Sequence, residues 1–292
     1  MLEPLKHNST MNKLTREKRV QIVKALVEGN SVRATCRMTD TAKGTVLKLL
    51  AEIGAACADY QDQAFRNLPC KRIQCDEIWS FCYAKDKNLP KELRGQAGFG
   101  SVWTWVAIDA DTKLVPSWLV GSRNVETATR FINDLASRLA NRVQLSTDGL
   151  RTYLNAIEGA FGSEIDYATI TKIYRNPPQG DERRYSPGEC CGVEKDEVMG
   201  WPDPKHISTS YIERQNLTMR MSMRRFTRLT NAFSKKVENH ACAIALHYMY
   251  YNFCRIHKSL RVTPAMESRV TDHVWTIEEI VALLEEFEKK AA

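Results

Sequence analysis

Arg72 to Tyr83 reads RIQCDEIWSFCY, a mostly apolar run interrupted at its centre by Asp76 and Glu77. Its aromatic and β-branched residues predict a strand. An ionised carboxylate inside such a strand costs about several kcal/mol unless a cation compensates it. That cation can be an internal Arg or Lys, or a metal ion. Side chains alternate along a strand, so Asp76 and Glu77 are expected to face opposite ways and only one to reach a common site.

Outward from this run, Lys85–Gly100 is polar and contains glycines, as a loop does. A second strand is predicted at Ser101–Ile108, a turn at Asp109–Thr112 and a third strand at Leu114–Val120, which together form an antiparallel meander. Apolar spacing then predicts a helix at Glu126–Ala140 and a short buried strand at Val143–Ser146 that ends in Thr147-Asp148-Gly149. A helix at Tyr153–Phe161 and a strand at Tyr167–Tyr174 follow. Three strands, helix, strand, helix, strand describe an α/β domain with a mixed sheet flanked by helices, of the ribonuclease-H-like kind. Residues 175–207 contain five prolines and are predicted to be a loop or insertion.

The segment 208–231, STSYIERQNLTMRMSMRRFTRLTN, is predicted to be one amphipathic helix. At about 100° per residue, Glu213, Asn216, Arg220, Arg224 and Arg228 share an outward stripe, and Ile212, Met219, Met223, Phe226 and Leu229 share an inward one. A lone acid among arginines fits a metal-binding carboxylate flanked by phosphate-binding cations. It equally fits a solvated basic face in which Glu213 pairs with a neighbouring arginine. A second long helix is predicted at Ser234–Arg255, and Thr276 caps a last amphipathic helix with an acidic outer face.

Upstream, Arg16–Glu28 has helical spacing and stops at Gly29-Asn30, Ser31 caps a short helix, and Thr41 opens a longer one. This is a helix-turn-helix signature, in which Thr41, Lys43, Thr45 and Lys48 would meet the DNA major groove. The same pattern fits a plain three-helix bundle packed on the main body. The expected organisation is a helix-turn-helix domain at 1–59, a linker at 60–71, an α/β domain at 72–264 and a C-terminal helix at 265–292.

The net charge of +7 is unevenly spread. Residues 1–58 hold ten Lys/Arg against five Asp/Glu, and residues 205–261 hold eleven against two. Two basic blocks suit a polyanionic partner. No apolar run approaches the length of a membrane span, and no signal-peptide stretch opens the chain, so a cytoplasmic protein is expected. The nine cysteines form no CxxC pair, which argues for reduced thiols rather than a disulfide framework or a zinc site.

Asp76, Asp148 and Glu213 thus lie on two strands and a helix, and three carboxylates brought together there would repel one another unless cations intervened. Their oxygen-only ligand set suits Mg²⁺ or Mn²⁺. Taken singly, each acid also has an ordinary explanation: an ion pair, an Asp-Gly turn or a surface charge.

Three stretches, C-D-E-I-W-S-F at 75–81, S-T-D-G at 146–149 and Y-I-E-R-Q-N-L-T-M-R at 211–220, resemble the acidic motifs of insertion-sequence-1-type DDE transposases. The similarity runs from about Arg72 to Pro264, and its third motif is the most specific. The resemblance implies a ribonuclease-H-like catalytic domain that cleaves and joins DNA with two divalent ions. By motif position, Asp76, Asp148 and Glu213 would be the metal ligands, and Arg214, Asn216 and Arg220 would hold DNA phosphates; Arg224, on the same outward stripe, is a further candidate DNA contact. Double-stranded element ends and target DNA are the implied partners, with a homodimer or larger assembly holding two ends. The chain lacks the Cys-rich N-terminal finger that some relatives carry, so end recognition would rest on the helix-turn-helix. Two other classes stay open: a nuclease of the same fold without strand transfer, and a catalytically inactive DNA-binding regulator. Trp79, Trp103, Trp105 and Trp118 are expected to pack in the core.

Overall fold

The computed structural model describes residues 14–174, 190–227 and 231–290. The acid-bearing run forms β1 (Arg72–Cys82), inside a six-stranded sheet ordered β3-β2-β1-β4-β5-β6. Antiparallel β2 (Gly100–Asp109) and β3 (Ser117–Gly121) lie on one side of it. Parallel β4 (Val143–Asp148) and β5 (Ile165–Tyr174) lie on the other, and antiparallel β6 (Cys190–Met199) closes the edge. This is the predicted mixed sheet, with helices on both faces.

One face carries α4 (Val125–Arg138) and α5 (Thr152–Phe161). Trp105 of β2 fills the space beneath them, with ring centroids 6.0 Å from Phe131 and 5.4 Å from Tyr153. The other face carries α6 (Ser210–Ser222) and α7 (Val237–Met249), the latter running on as a π-turn over Tyr250–Cys254. Gln74 of β1 ties α6 down: its side-chain oxygen accepts from the backbone N–H of Tyr211 (2.9 Å) and Ile212 (3.1 Å). Those N–H groups belong to the first helical turn and have no partner within the helix.

The N-terminal helices are α1 (Arg16–Val27), α2 (Val32–Thr39) and α3 (Lys43–Ala64). Ser31 caps α2 through Ala34 N–H at 3.1 Å, as its position predicts. α3 lies against α7 at Gly54, where a Cβ would sit 2.5 Å from the Cys242 carbonyl oxygen. Buried residues of α1, α3, the sheet, α7 and α9 (Ile277–Lys290) form one continuous core. The acidic outer face of α9 meets the basic face of α1 through Lys24–Glu278 (2.8 Å) and Arg19–Glu288 (3.1 Å). Part of the N-terminal positive charge is therefore matched inside the chain. A short α8 (Pro264–Glu267) joins the π-turn to α9.

Four expectations need correction. Residues 190–199 form an exposed edge strand rather than loop, because β5 offers them a free ladder; residues 175–189 lie outside the described residues. The third strand starts at Ser117, not Leu114. Pro116 has no N–H to donate, and the Val115 N–H and C=O are both taken by the Asn252 side chain. The 60–71 linker is helical as far as Ala64. The 208–231 helix stops at Ser222, and Arg224–Phe226 form a tighter turn that buries Met223 and Phe226. Arg224 therefore leaves the predicted stripe; Arg228 and Leu229 lie outside the described residues.

Candidate active site

Parallel β1 and β4 pair only at Arg72–Gln144, Ile73–Leu145 and Gln74–Ser146. Beyond that they part, and Asp148 pairs onward with Ile170 of β5. Asp76 and Asp148 each stand two residues past the last β1–β4 pair, so the pleat puts them at one level, where the strands separate. The crevice at the carboxyl ends of parallel strands is the usual ligand site of α/β sheets.

A carboxylate oxygen from each of Asp76, Glu77 and Asp148 lies within 4.8 Å of the other two. The expectation that only one of Asp76 and Glu77 reaches the site is therefore wrong. Alternation does send them to opposite faces, Asp76 towards α6 and Glu77 beneath α5, but the opening between the strands brings both near Asp148. Asp76 Oδ1 accepts from Glu77 N–H (2.8 Å), and Asp76 Oδ2 accepts from Asn216 Nδ2 of α6 (2.8 Å). Asn216 is itself buried, so it faces the site and not the outer stripe. Glu77 is 8% exposed and accepts from Arg123 Nε at 3.1 Å. Arg123 also stands 3.8 Å from Asp148 and bridges the two acids. The other Glu77 oxygen is buried with no well-formed hydrogen bond, next to the equally buried Tyr153 hydroxyl.

Burial and the charges of Asp148 and Glu213 lift the Asp76 carboxyl to about 6, against its two hydrogen bonds. Burial, with Asp148 and Asp76 close by, lifts Glu77 to about 7. Both shifts arise from removing carboxylates from water and crowding them together, which a bound divalent cation would relieve.

Glu213 is not among the three clustered acids. Its carboxylate is bound by Lys172 of β5 and accepts from Thr209 Oγ1 at 2.7 Å. Arg214 and Arg224 are exposed and Arg220 is half-buried. Lys43 and Lys48 are exposed at the start of α3, while Thr41 and Thr45 are half-buried. Thr41 Oγ1 donates to Thr39 C=O (2.9 Å), and Lys48 lies 3.7 Å from Glu52.

Sequence reasoning missed Arg123 and Lys172, which lie in a loop and on a strand with no motif around them. The Tyr251-Asn252 pair serves the fold: Tyr251 donates to Lys113 C=O (3.0 Å) and Asn252 holds Val115. His206 rests against Arg72, at the start of β1. Cys190 and Cys191 are free and exposed on β6. No helix among the described residues is long and apolar enough to cross a membrane.

No protein family matches this chain, and no curated protein matches it in sequence. Among solved structures the chain is similar to the Mos1 strand transfer complex, at 13% identity and a TM-score of 0.24 over 53% of this chain. It spans only 58% of that protein's chain. It is also similar to the piggyBac transposase synaptic complex with hairpin DNA, at 10% identity and a TM-score of 0.38 over 98% of this chain and 76% of the other. The Mos1 mariner paired-end complex with Mn is a further likeness, at 12% identity and a TM-score of 0.20 over 54% of this chain and 59% of the other.

Proposed function

We propose that this chain is a DNA transposase of the DDE kind, which cleaves the ends of an insertion sequence and joins the freed 3′-hydroxyl to target DNA. The observation that carries the reading is the matched position of Asp76 and Asp148 where two parallel strands part, with the Glu213 helix docked on Asp76 through Asn216. The motif resemblance at 75–81, 146–149 and 211–220 falls on these same elements.

The acids fit Mg²⁺ or Mn²⁺: they offer oxygen ligands only, and the Asp76 and Asp148 carboxylates are crowded together with Glu77 beside them. Asp76, Asp148 and Glu213 would hold the two ions, with Glu213 exchanging Lys172 for metal. Two ions bound there would supply the charge and Lewis acidity that activate an attacking oxygen and stabilise a leaving one. Asn216 orients Asp76. Arg214 and Arg220 hold the DNA backbone near the site, while Thr41, Lys43, Thr45 and Lys48 read element-end duplex. This chemistry requires no covalent protein–DNA intermediate, so no nucleophilic Ser or Tyr is assigned. Two copies of the chain, or more, would hold the two ends together.

The test is incubation of the purified chain with Mn²⁺, target plasmid and oligonucleotides carrying the DNA that flanks its own coding sequence. Joined product, abolished by Asp148→Asn, is expected. Cleavage without joining would point instead to a nuclease of the same fold, and DNA binding without cleavage to a regulator.

A further inference from the structure

Past Glu77 the same face of β1 carries Trp79 and half-buried Phe81. Trp79, two residues on, is 36% exposed, contrary to the expectation that it packs in the core. It stands opposite half-buried Trp103 in the β1–β2 register and donates its indole N–H to Ser101 Oγ at 2.9 Å. Aromatic contacts continue from Trp79 to half-buried Phe81 (centroids 5.8 Å apart) and from Phe81 to half-buried Phe233 (4.9 Å).

Cations sit on these rings. The Arg123 guanidinium lies 4.8 Å from the Trp103 ring while holding Glu77 in the acid cluster. Lys235 Nζ lies 4.5 Å from Phe233 and 5.5 Å from the exposed Tyr83 ring. Exposed Lys85 lies 5.8 Å from Phe81. Rings interleaved with positive charge, in a line that starts at the acid cluster, match a ligand with flat π-faces and a negative backbone.

We propose that the surface from Trp103 through Trp79 and Phe81 to Phe233 is a stacking track for the bases of an unpaired DNA strand, with Arg123, Lys85 and Lys235 holding its phosphates. The track deepens the DNA-processing reading by naming the form of strand bound beside the acids, yet it uses none of the three proposed metal ligands.

The test is fluorescence anisotropy with a labelled oligo-dT strand and with a blunt duplex of equal length, in EDTA, so that no metal chemistry enters. Trp79→Leu keeps apolar bulk but loses the π-face, and should weaken oligo-dT binding about 5- to 150-fold, as loss of one base stack does, with duplex binding little changed. Trp79→Phe should bind within a few-fold of wild type. Lys235→Ala should reduce the slope of log affinity against log salt by about 0.7 for the single strand. Trp201→Ala, at a 90% exposed tryptophan elsewhere on the surface, should change nothing. Equal affinity of wild type and Trp79→Leu for oligo-dT overturns the track, as does an equal loss on single strand and duplex. If Trp79→Leu loses oligo-dT binding but wild type never cleaves DNA, the track stands and the transposase reading falls.

Discussion

Asn216 Nδ2 donates to Asp76 Oδ2 at 2.8 Å and thereby fastens the Glu213 helix to the strand that carries the first acid. Outer-shell partners of this kind commonly set metal affinity about 10- to 100-fold. Asn216→Ala should weaken Mn²⁺ binding by about that factor, measured by isothermal titration. The helical circular dichroism should remain that of wild type. Unchanged Mn²⁺ affinity would show that Asn216 only packs.

The raised Asp76 and Glu77 carboxyls make a prediction about the metal-free protein. Both have folded-state values, about 6 and about 7, above their ordinary ones, so between roughly pH 4 and pH 7 the folded chain binds more protons than the unfolded chain. Stability from this source is present below that window and lost as pH rises through it. In EDTA the melting temperature should fall between pH 5 and pH 8, and Asp76→Asn with Glu77→Gln should flatten that fall by about several degrees. Divalent ion should restore the wild type at high pH. A melting temperature that rises with pH through this window, and does so equally in the double variant, would contradict the assignment.

Lys172 and Glu213 form a pair in which the side chains keep 28% and 43% of their exposure, so the pair contributes little to stability, about 1 kcal/mol or less. If Lys172 competes with metal for Glu213, Lys172→Ala should raise Mn²⁺ affinity by about 2- to 5-fold while shifting the melting temperature by no more than about 2 °C. Weaker metal binding in this variant would instead make Lys172 part of the metal-bound arrangement.

Gly54→Ala tests the seating of the N-terminal helices. The new methyl would lie 2.5 Å from the Cys242 backbone, so α3 and α7 must move apart. Overpacking of this kind costs about 1–3 kcal/mol, a loss of roughly several degrees in a chain of this size. A neutral or stabilising outcome in thermal denaturation would mean that α3 does not lie on α7 at this point.

The strands and helices around Asp76 and Asp148 were legible because apolar periodicity and turn residues are local signals. The end of α6 was not. Helical spacing continues through Met223 and Phe226, and only the three-dimensional core makes the chain turn to bury both. Strand β6 was hidden because its side chains are exposed and carry no burial pattern; its existence depends on the free edge of β5. Asp76 and Asp148 can be read as partners, but alternation admits only one of Asp76 and Glu77 to a common site, an argument that holds for a continuous sheet and fails where β1 and β4 separate. Arg123 and Lys172 enter the site from distant segments, which spacing cannot reveal. The exposure of Trp79 is hidden from the sequence for a related reason. Trp79 and Trp105 lie on neighbouring strands with similar composition, but Trp105 is buried against Phe131 of α4 and Tyr153 of α5 while Trp79 is exposed, a difference no local pattern carries.

The central claim is that Asp76, Asp148 and Glu213 share divalent cations. Anomalous diffraction from crystals soaked in Mn²⁺ tests it most directly. Two peaks about 3.5–4 Å apart are expected, one held jointly by Asp76 and Asp148 and the other reached by Glu213 after it leaves Lys172. Crystals that take up manganese elsewhere, or none at this crevice with Glu213 still bound to Lys172, would contradict it.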